Sequence, residues 1–205
     1  LLAYTNVDND RDGTVEDPGR RSGFVRDHRS FNASNLKLEL QQGNDGLLFQ
    51  YGLELGLLSA HYSYASSLDV AAGEPFPDSP PSLTVREATL QPDGSQQAAF
   101  VSGRWRMTDR LTTELGMRWD NQTWDRVDGG TQLSPRLNLR YDPDARTQLR
   151  ASWGRFYQAQ GINELQLEDG IQTFFPAQRA DHLILSAEHA LVNHIRVRLE
   201  AYYKD

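Results

Sequence analysis

The sequence predicts an all-β fold: an antiparallel up-and-down transmembrane β-barrel segment with short periplasmic turns and long extracellular loops. Three observations predict it. Apolar residues recur at every second position over long stretches. The connections between those stretches alternate between short and long. The face opposite the apolar one carries a row of arginines, tolerable only where water or countercharge reaches it.

The elements follow in chain order. "LLAYTN" lacks the basic start and cleavage site of a signal peptide and reads as the end of a strand already under way. Residues 8–23 read as a polar loop. "NASNLKLELQQ" and "LLFQYGLELGLLSAHYSY" read as strands joined by "GNDG" at 43–46, with Phe49, Tyr51, Leu53, Leu55 and Leu57 on one face. Both exceed an ordinary globular strand and suit a tilted spanning one. A second long loop covers about 67–95, where "EPFPDSPPS" suits no strand interior.

The pattern then tightens. In "LTTELGMRW", Leu111, Thr113, Leu115, Met117 and Trp119 oppose Thr112, Glu114, Gly116 and Arg118. In "LSPRLNLRY", Leu133, Pro135, Leu137, Leu139 and Tyr141 oppose Ser134, Arg136, Asn138 and Arg140. In "IRVRLEAYY", Ile195, Val197, Leu199, Ala201 and Tyr203 oppose Arg196, Arg198, Glu200 and Tyr202. No helix keeps such sets on separate faces, whereas a strand does so automatically. Short turns are expected at 107–110, 142–145 and 191–194, and longer loops at 125–131 and about 159–177. Trp105, Trp119, Trp124, Tyr141 and Tyr157 sit near strand ends, as in an interfacial aromatic girdle. The count is about nine strands, all in one partial barrel domain over 1–205.

Composition narrows the class. A formal charge of −7 argues against a nucleic-acid partner. The absence of cysteine excludes a disulfide framework and Cys-ligated zinc or iron–sulfur sites. The mean hydropathy of −0.63 and the lack of any long apolar run exclude a membrane helix, but not strands that alternate. Alternation with one polar face also describes a soluble antiparallel sheet serving binding or adhesion, and a passive porin would share the barrel pattern. The turn asymmetry and the strand lengths favour the membrane.

Certain stretches resemble the β-barrels of TonB-dependent outer-membrane receptors. "AAFVSGRWRMTDRLTTELGMRWD" looks like a recurrent hairpin of that family, with Phe100 and Trp105 on one strand and Leu-x-x-x-Leu-Gly-x-Arg-x-Asp at 111–120 on the next. "LSPRLNLRYDPDARTQLRASWGRFYQAQGINEL" and "QRADHLILSAEHAL…IRVRLEAYYKD" are similar to its following hairpins. Where the family often has Ala-Pro after the aromatic strand, this chain has Gln158-Ala159-Gln160. The resemblance implies a barrel of about 22 strands around a plug domain. It further implies coupling to TonB through a region N-terminal to this one, location in the Gram-negative outer membrane, contact with its lipid, and active uptake of a scarce small-molecule ligand such as a ferric siderophore. The plug is not visible in this sequence.

No enzyme signature is present: there is no GxGxxG, P-loop, HExxH or GxSxG. The five histidines lack metal-ligand spacing. Arginines on the polar face either attract an anionic ligand or pair with carboxylates of the plug and of neighbouring strands such as Glu114, Glu188 and Glu200. The candidate ligand contacts are Arg118, Arg136 and Arg155 on strands, and Phe174 and Phe175 in the 159–177 loop, where they stack on a ligand or pack the loop. No cofactor is expected, with calcium as the one open case. Asp8, Asp10, Asp12 and Gly13 match the start of an EF-hand loop, but its twelfth position is Gly19 instead of glutamate and no helix flanks it. The three aspartates are therefore candidate calcium ligands in an extracellular loop, repelling one another until a cation neutralises them.

Overall fold

The structure is a computed structural model and describes residues 1–18, 20–72, 74, 80–124, 132–192 and 195–205. The predicted all-β architecture is present. Ten antiparallel strands form one sheet: β1 (Leu2–Asp17), β2 (Arg21–Asn44), β3 (Leu47–Val70), β4 (Ser82–Leu90), β5 (Asp93–Arg106), β6 (Leu111–Gln122), β7 (Gln132–Asp144), β8 (Thr147–Gln158), β9 (Gln178–Val192) and β10 (Ile195–Lys204). Their order is β1-β2-β3-β5-β6-β7-β8-β9-β10, with β4 pairing β3 beside this path. Among the described residues the only other regular element is a 3₁₀ turn, Leu167–Asp169.

The tight turns lie at one end and share a device. Asn44 Oδ1 accepts from the backbone N–H of Gly46 and of Leu47, both at 3.0 Å. Asp144 Oδ1 accepts from Arg146 N–H at 2.7 Å and Thr147 N–H at 3.0 Å. Thr108 Oγ1 accepts from Arg110 and Leu111 at 3.2 and 3.0 Å. A short polar side chain thus satisfies amides that the hairpin leaves unpaired. These bonds hold the Asp144 carboxyl below its usual range, the Arg146 amide being the largest cause. The third turn centres on Ala145-Arg146, slightly later than 142–145, because Asp144 serves as its cap.

The other end corrects the sequence reading. Residues 8–17 form strand β1 rather than a loop, and 21–23 open β2, in unbroken register from Leu2↔Leu36 to Asp17↔Arg21. The 67–95 segment likewise contains β4, registered from Tyr62↔Leu90 to Val70↔Ser82. Its proline-rich part at 75–79 and the loop at 125–131 lie outside the described residues, as do positions 193–194 of the last turn. β5 pairs β3 only from Leu47 to Ser59, so β3 continues beyond it by about 35 Å at a strand's rise, flanked by β2 and β4.

The sheet's two faces differ, and they exchange character along β2 and β3. Call the face against which the 159–177 loop packs the inner one. Below Ser59 the outer face carries Leu36, Leu38, Leu40, Leu53, Leu55 and Leu57, all exposed. The inner face there carries Lys37, Glu39 and Glu54. Above that level the outer face reads Ser30, Asn32, His61 and Ser63, whereas the inner face reads Phe31, Ala60, Tyr62 and Tyr64. No strand breaks at the exchange; only the environment that each face suits changes.

The buried core is small and sits on the inner face of the extension. Ala60, Tyr62, Tyr64, Trp124, Ile162, Leu165, Leu167 and Phe174 form it, with Val25, Phe31, Leu58, Ala88 and Leu90 packed around. Trp124 therefore does not belong to the outer aromatic girdle. Its ring is buried and its Nε1–H donates to the Gln160 carbonyl at 3.2 Å. Trp105 does lie on the outer face beside the turns, edge-on to Phe49 at 5.7 Å.

Candidate functional site

The inner wall is built by parity. Every second residue of β5 to β9 turns inward, so Gln96, Gln122, Gln132, Gln158 and Gln178 end up near the loop end of five successive strands. Below them come Asp120, Ser134 and Phe156, then Arg118 and Arg136. Small residues keep this wall open. A side chain at Gly154 would come within 3.0 Å of the Phe156 ring and 3.4 Å of Arg136 Cγ. The result is a cavity of about 350 Å³ bordered by Gln96, Arg118, Asp120, Gln132, Ser134 and Arg136. A second, of about 500 Å³, opens above it beneath the 159–177 loop, with Arg29, Gln158, Gln178 and Phe175 on its walls.

Most inner cations already have partners. Arg118 holds Glu54 and Asp120, each at 2.8 Å, and Glu54 also takes Lys37 at 3.2 Å. Arg104 pairs with Glu114 at 2.7 Å, and Arg140 with Asp142 at 3.0 Å. These are cross-strand or i, i+2 pairs on one face, the ordinary way for a sheet to neutralise a charged side. Arg136 has no carboxylate partner among the described residues.

The 159–177 loop is held against the extension by polar as well as apolar contacts. The Tyr62 hydroxyl donates to the Ile162 carbonyl at 2.7 Å and accepts from the Leu165 amide at 3.2 Å. Burial pushes the Tyr62 phenol above its usual range. Arg29 grips buried Asp27 at 2.7 Å, Glu168 at 2.7 Å and the Leu165 carbonyl at 3.1 Å, and its guanidinium is held more firmly protonated, first by the Asp27 hydrogen bond. Arg86 donates to the Glu168 carbonyl.

The sequence-derived candidates separate on this framework. Arg118 and Arg136 share the inner wall, on either side of the β6–β7 pair. Arg155 lies on the other face, with Trp153 and Leu183, and pairs with its cross-strand neighbour Asp181 at 2.8 Å. Parity fixes that: Arg155 is odd on β8, whereas inward residues there are even. Phe174 is buried in the loop core, while Phe175 is 53% exposed at the upper cavity. Asp8, Asp10 and Asp12 line the outer face of β1 as a row, with His28 Nδ1 at 2.8 Å from Asp10. Among the described residues no three His, Cys, Asp or Glu side chains are grouped to hold a metal.

The sequence reading missed the glutamine row, Arg29 and Tyr62. The row was legible as a Gln at one end of each of five strands. Tyr62 and Arg29 reach loop partners 100 to 139 residues away, which periodicity does not register.

With this geometry in place, the comparisons with known proteins are informative. The family model "TonB dependent receptor-like, beta-barrel" matches residues 2–205. The chain belongs to the TonB-dependent receptor β-barrel family. Members of that family are outer-membrane receptors of Gram-negative bacteria, transporters rather than enzymes. Among solved structures, P. aeruginosa FpvA bound to heterologous pyoverdines is similar at a TM-score of 0.54 and 12% identity, over 99% of this chain and 30% of that one. The siderophore receptor PirA of Acinetobacter baumannii follows with 0.48, 8%, 99% and 43%. A ferric enterobactin receptor (PfeA) mutant of Pseudomonas aeruginosa gives 0.47, 13%, 100% and 43%. The chain thus spans less than half the length of each. A search of curated proteins found no match.

Proposed function

We propose that this chain is a section of the barrel wall of an outer-membrane receptor that takes up a scarce solute, such as a ferric siderophore, by TonB-dependent active transport. Further strands complete a barrel of about 22, and a plug domain of the same polypeptide fills it and reaches TonB. The observation that carries this reading is the two-faced sheet. Its outer face exposes a band of leucines and aromatic residues that lipid satisfies, and its inner face is charged and internally paired. At the level of the leucine band β10 and the Leu38–Asn44 part of β2 each pair on one side only, and lipid leaves such edges unsatisfied unless further strands join them. Arg118, Arg136 and Phe175 line the path a ligand takes from the loop end inward. The FpvA complex, described as containing iron and pyoverdine, supports iron chelates as the first solutes to test.

The test is uptake of radioiron-labelled chelates by cells with the full-length gene deleted or restored, in the presence and absence of TonB. The expected result is accumulation that needs both the gene and TonB. Gene-dependent accumulation that persists without TonB contradicts the proposal and indicates a passive pore.

A further inference from the structure

The five inward glutamines make a belt of two groups, with Gln96, Gln122 and Gln132 at the lower cavity and Gln158 and Gln178 at the upper one. Gln96 faces Gln122 across β5–β6, Gln132 donates to the Gln122 side chain, and Gln158 faces Gln178 across β8–β9. Among the described residues only Gln122 and Gln132 engage each other, and the side-chain amides of Gln96, Gln158 and Gln178 have no partner there. A glutamine offers two donors and two acceptor sites with no net charge. The belt borders both cavities, and Phe156 and Phe175, 41% and 53% exposed, present apolar rings beside it.

The cations nearby point the same way. Arg118 is occupied by Glu54 and Asp120, and Arg29 by Asp27 and Glu168. Arg136 is left as the cation in the lower cavity without a carboxylate among the described residues. One guanidinium matches one anionic group. A ligand carrying several negative charges would lose its hydration without matching partners here, at high cost.

Building on the uptake role proposed above, we propose that the belt selects a neutral or singly anionic solute whose surface is made of hydroxyl and amide groups, Arg136 matching the one charge. A saccharide and a peptidic metal chelate share that chemistry. Amide side chains pair with either, and the exposed rings stack on either's apolar faces.

The experiment uses the full-length receptor in detergent and measures binding of three probes by calorimetry. They are maltohexaose, the neutral peptidic chelate ferrichrome, and the trianionic tris-catecholate ferric enterobactin. The expected result is that at least one neutral probe binds more tightly than the trianion, and which one binds tells saccharide from chelate. A Gln158→Ala/Gln178→Ala variant is expected to weaken that probe by roughly tenfold or more, while its heat-modifiable gel mobility stays that of a folded barrel. Tighter binding of the trianion, failure of both neutral probes, or neutral binding unchanged in the folded variant would each overturn the inference. The uptake role is judged separately by the TonB-dependence above, which a trianionic solute would also satisfy.

Discussion

The spanning wall and the extension above it obey one alternation rule with opposite outcomes. In the wall, the apolar set of β2 and β3 points outward and the charged set inward. In the extension, the same two strands put Ser30, His61 and Ser63 outward and Phe31, Tyr62 and Tyr64 inward. The backbone runs on without a break, so the difference arises from what each face meets. Lipid demands an apolar outside. Above it, water takes the outside, and the only surface left to bury is the one the 159–177 loop covers. On the outer-membrane role proposed above, the exchange near Leu57 and Ser59 is the upper edge of the membrane.

The largest expected effect breaks this comparison with one charge placed twice. Leu53→Arg should destabilise the barrel in vesicles by about 2–4 kcal/mol, the range for arginine near the bilayer midplane. Ser63→Arg, on the same face of the same strand, should fall within about 0.5 kcal/mol of wild type. Urea titration of the full-length receptor in liposomes measures both.

The next effects concern the extension alone. Ile162 is fully buried beneath the loop, and Ile162→Ala should cost the docked loop about 2–4 kcal/mol. Tyr62→Phe keeps the ring and removes the hydroxyl, leaving the Ile162 carbonyl and Leu165 amide unpaired, for about 1–3 kcal/mol. In both, hydrogen exchange should rise in 159–177 with the urea midpoint of the wall unchanged. A drop in that midpoint would mean that loop and wall are one cooperative unit.

The smallest effect is on the outer side of the extension, where His28 meets the aspartate row. Its pKa is raised above 6.5, first by the hydrogen bond to Asp10, then by the charges of Asp10, Asp12 and Asp27, with partial desolvation opposing. Protonated His28 therefore favours the paired β1–β2 tip. That contribution is complete below the unfolded pKa and fades as pH rises through the raised folded value. Amide protection at the tip, corrected for intrinsic rate, should decrease from about pH 6 to about pH 8, and His28→Ala should remove the dependence.

How legible all this was in the sequence depends on range. The strands at 111–119, 133–141 and 195–203 announce themselves because each keeps its apolar set on one face and its polar set on the other, giving a clean period of two. β1 was hidden because neither of its faces is apolar: Asp8, Asp10 and Asp12 alternate with Asn9 and Arg11, so the strand resembles a loop and even a calcium motif. The loop core was hidden because Tyr62 and Ile162 are distant in the chain. Arg155 was misplaced because it was grouped by residue type, whereas its odd position on β8 already sets it beside Trp153. The exchange of faces was there to be read, since the odd positions of β3 run Leu53, Leu55, Leu57 and then Ser59, His61, Ser63.

The most direct test of the account is the depth of that exchange. Spin labels placed singly at Leu38, Leu55, Ser30 and Ser63 of the full-length receptor in lipid bilayers report accessibility to oxygen and to a water-soluble nickel chelate. The account predicts that labels at 38 and 55 are reached by oxygen and shielded from nickel, and that labels at 30 and 63 show the reverse. Equal nickel accessibility at all four positions would contradict it.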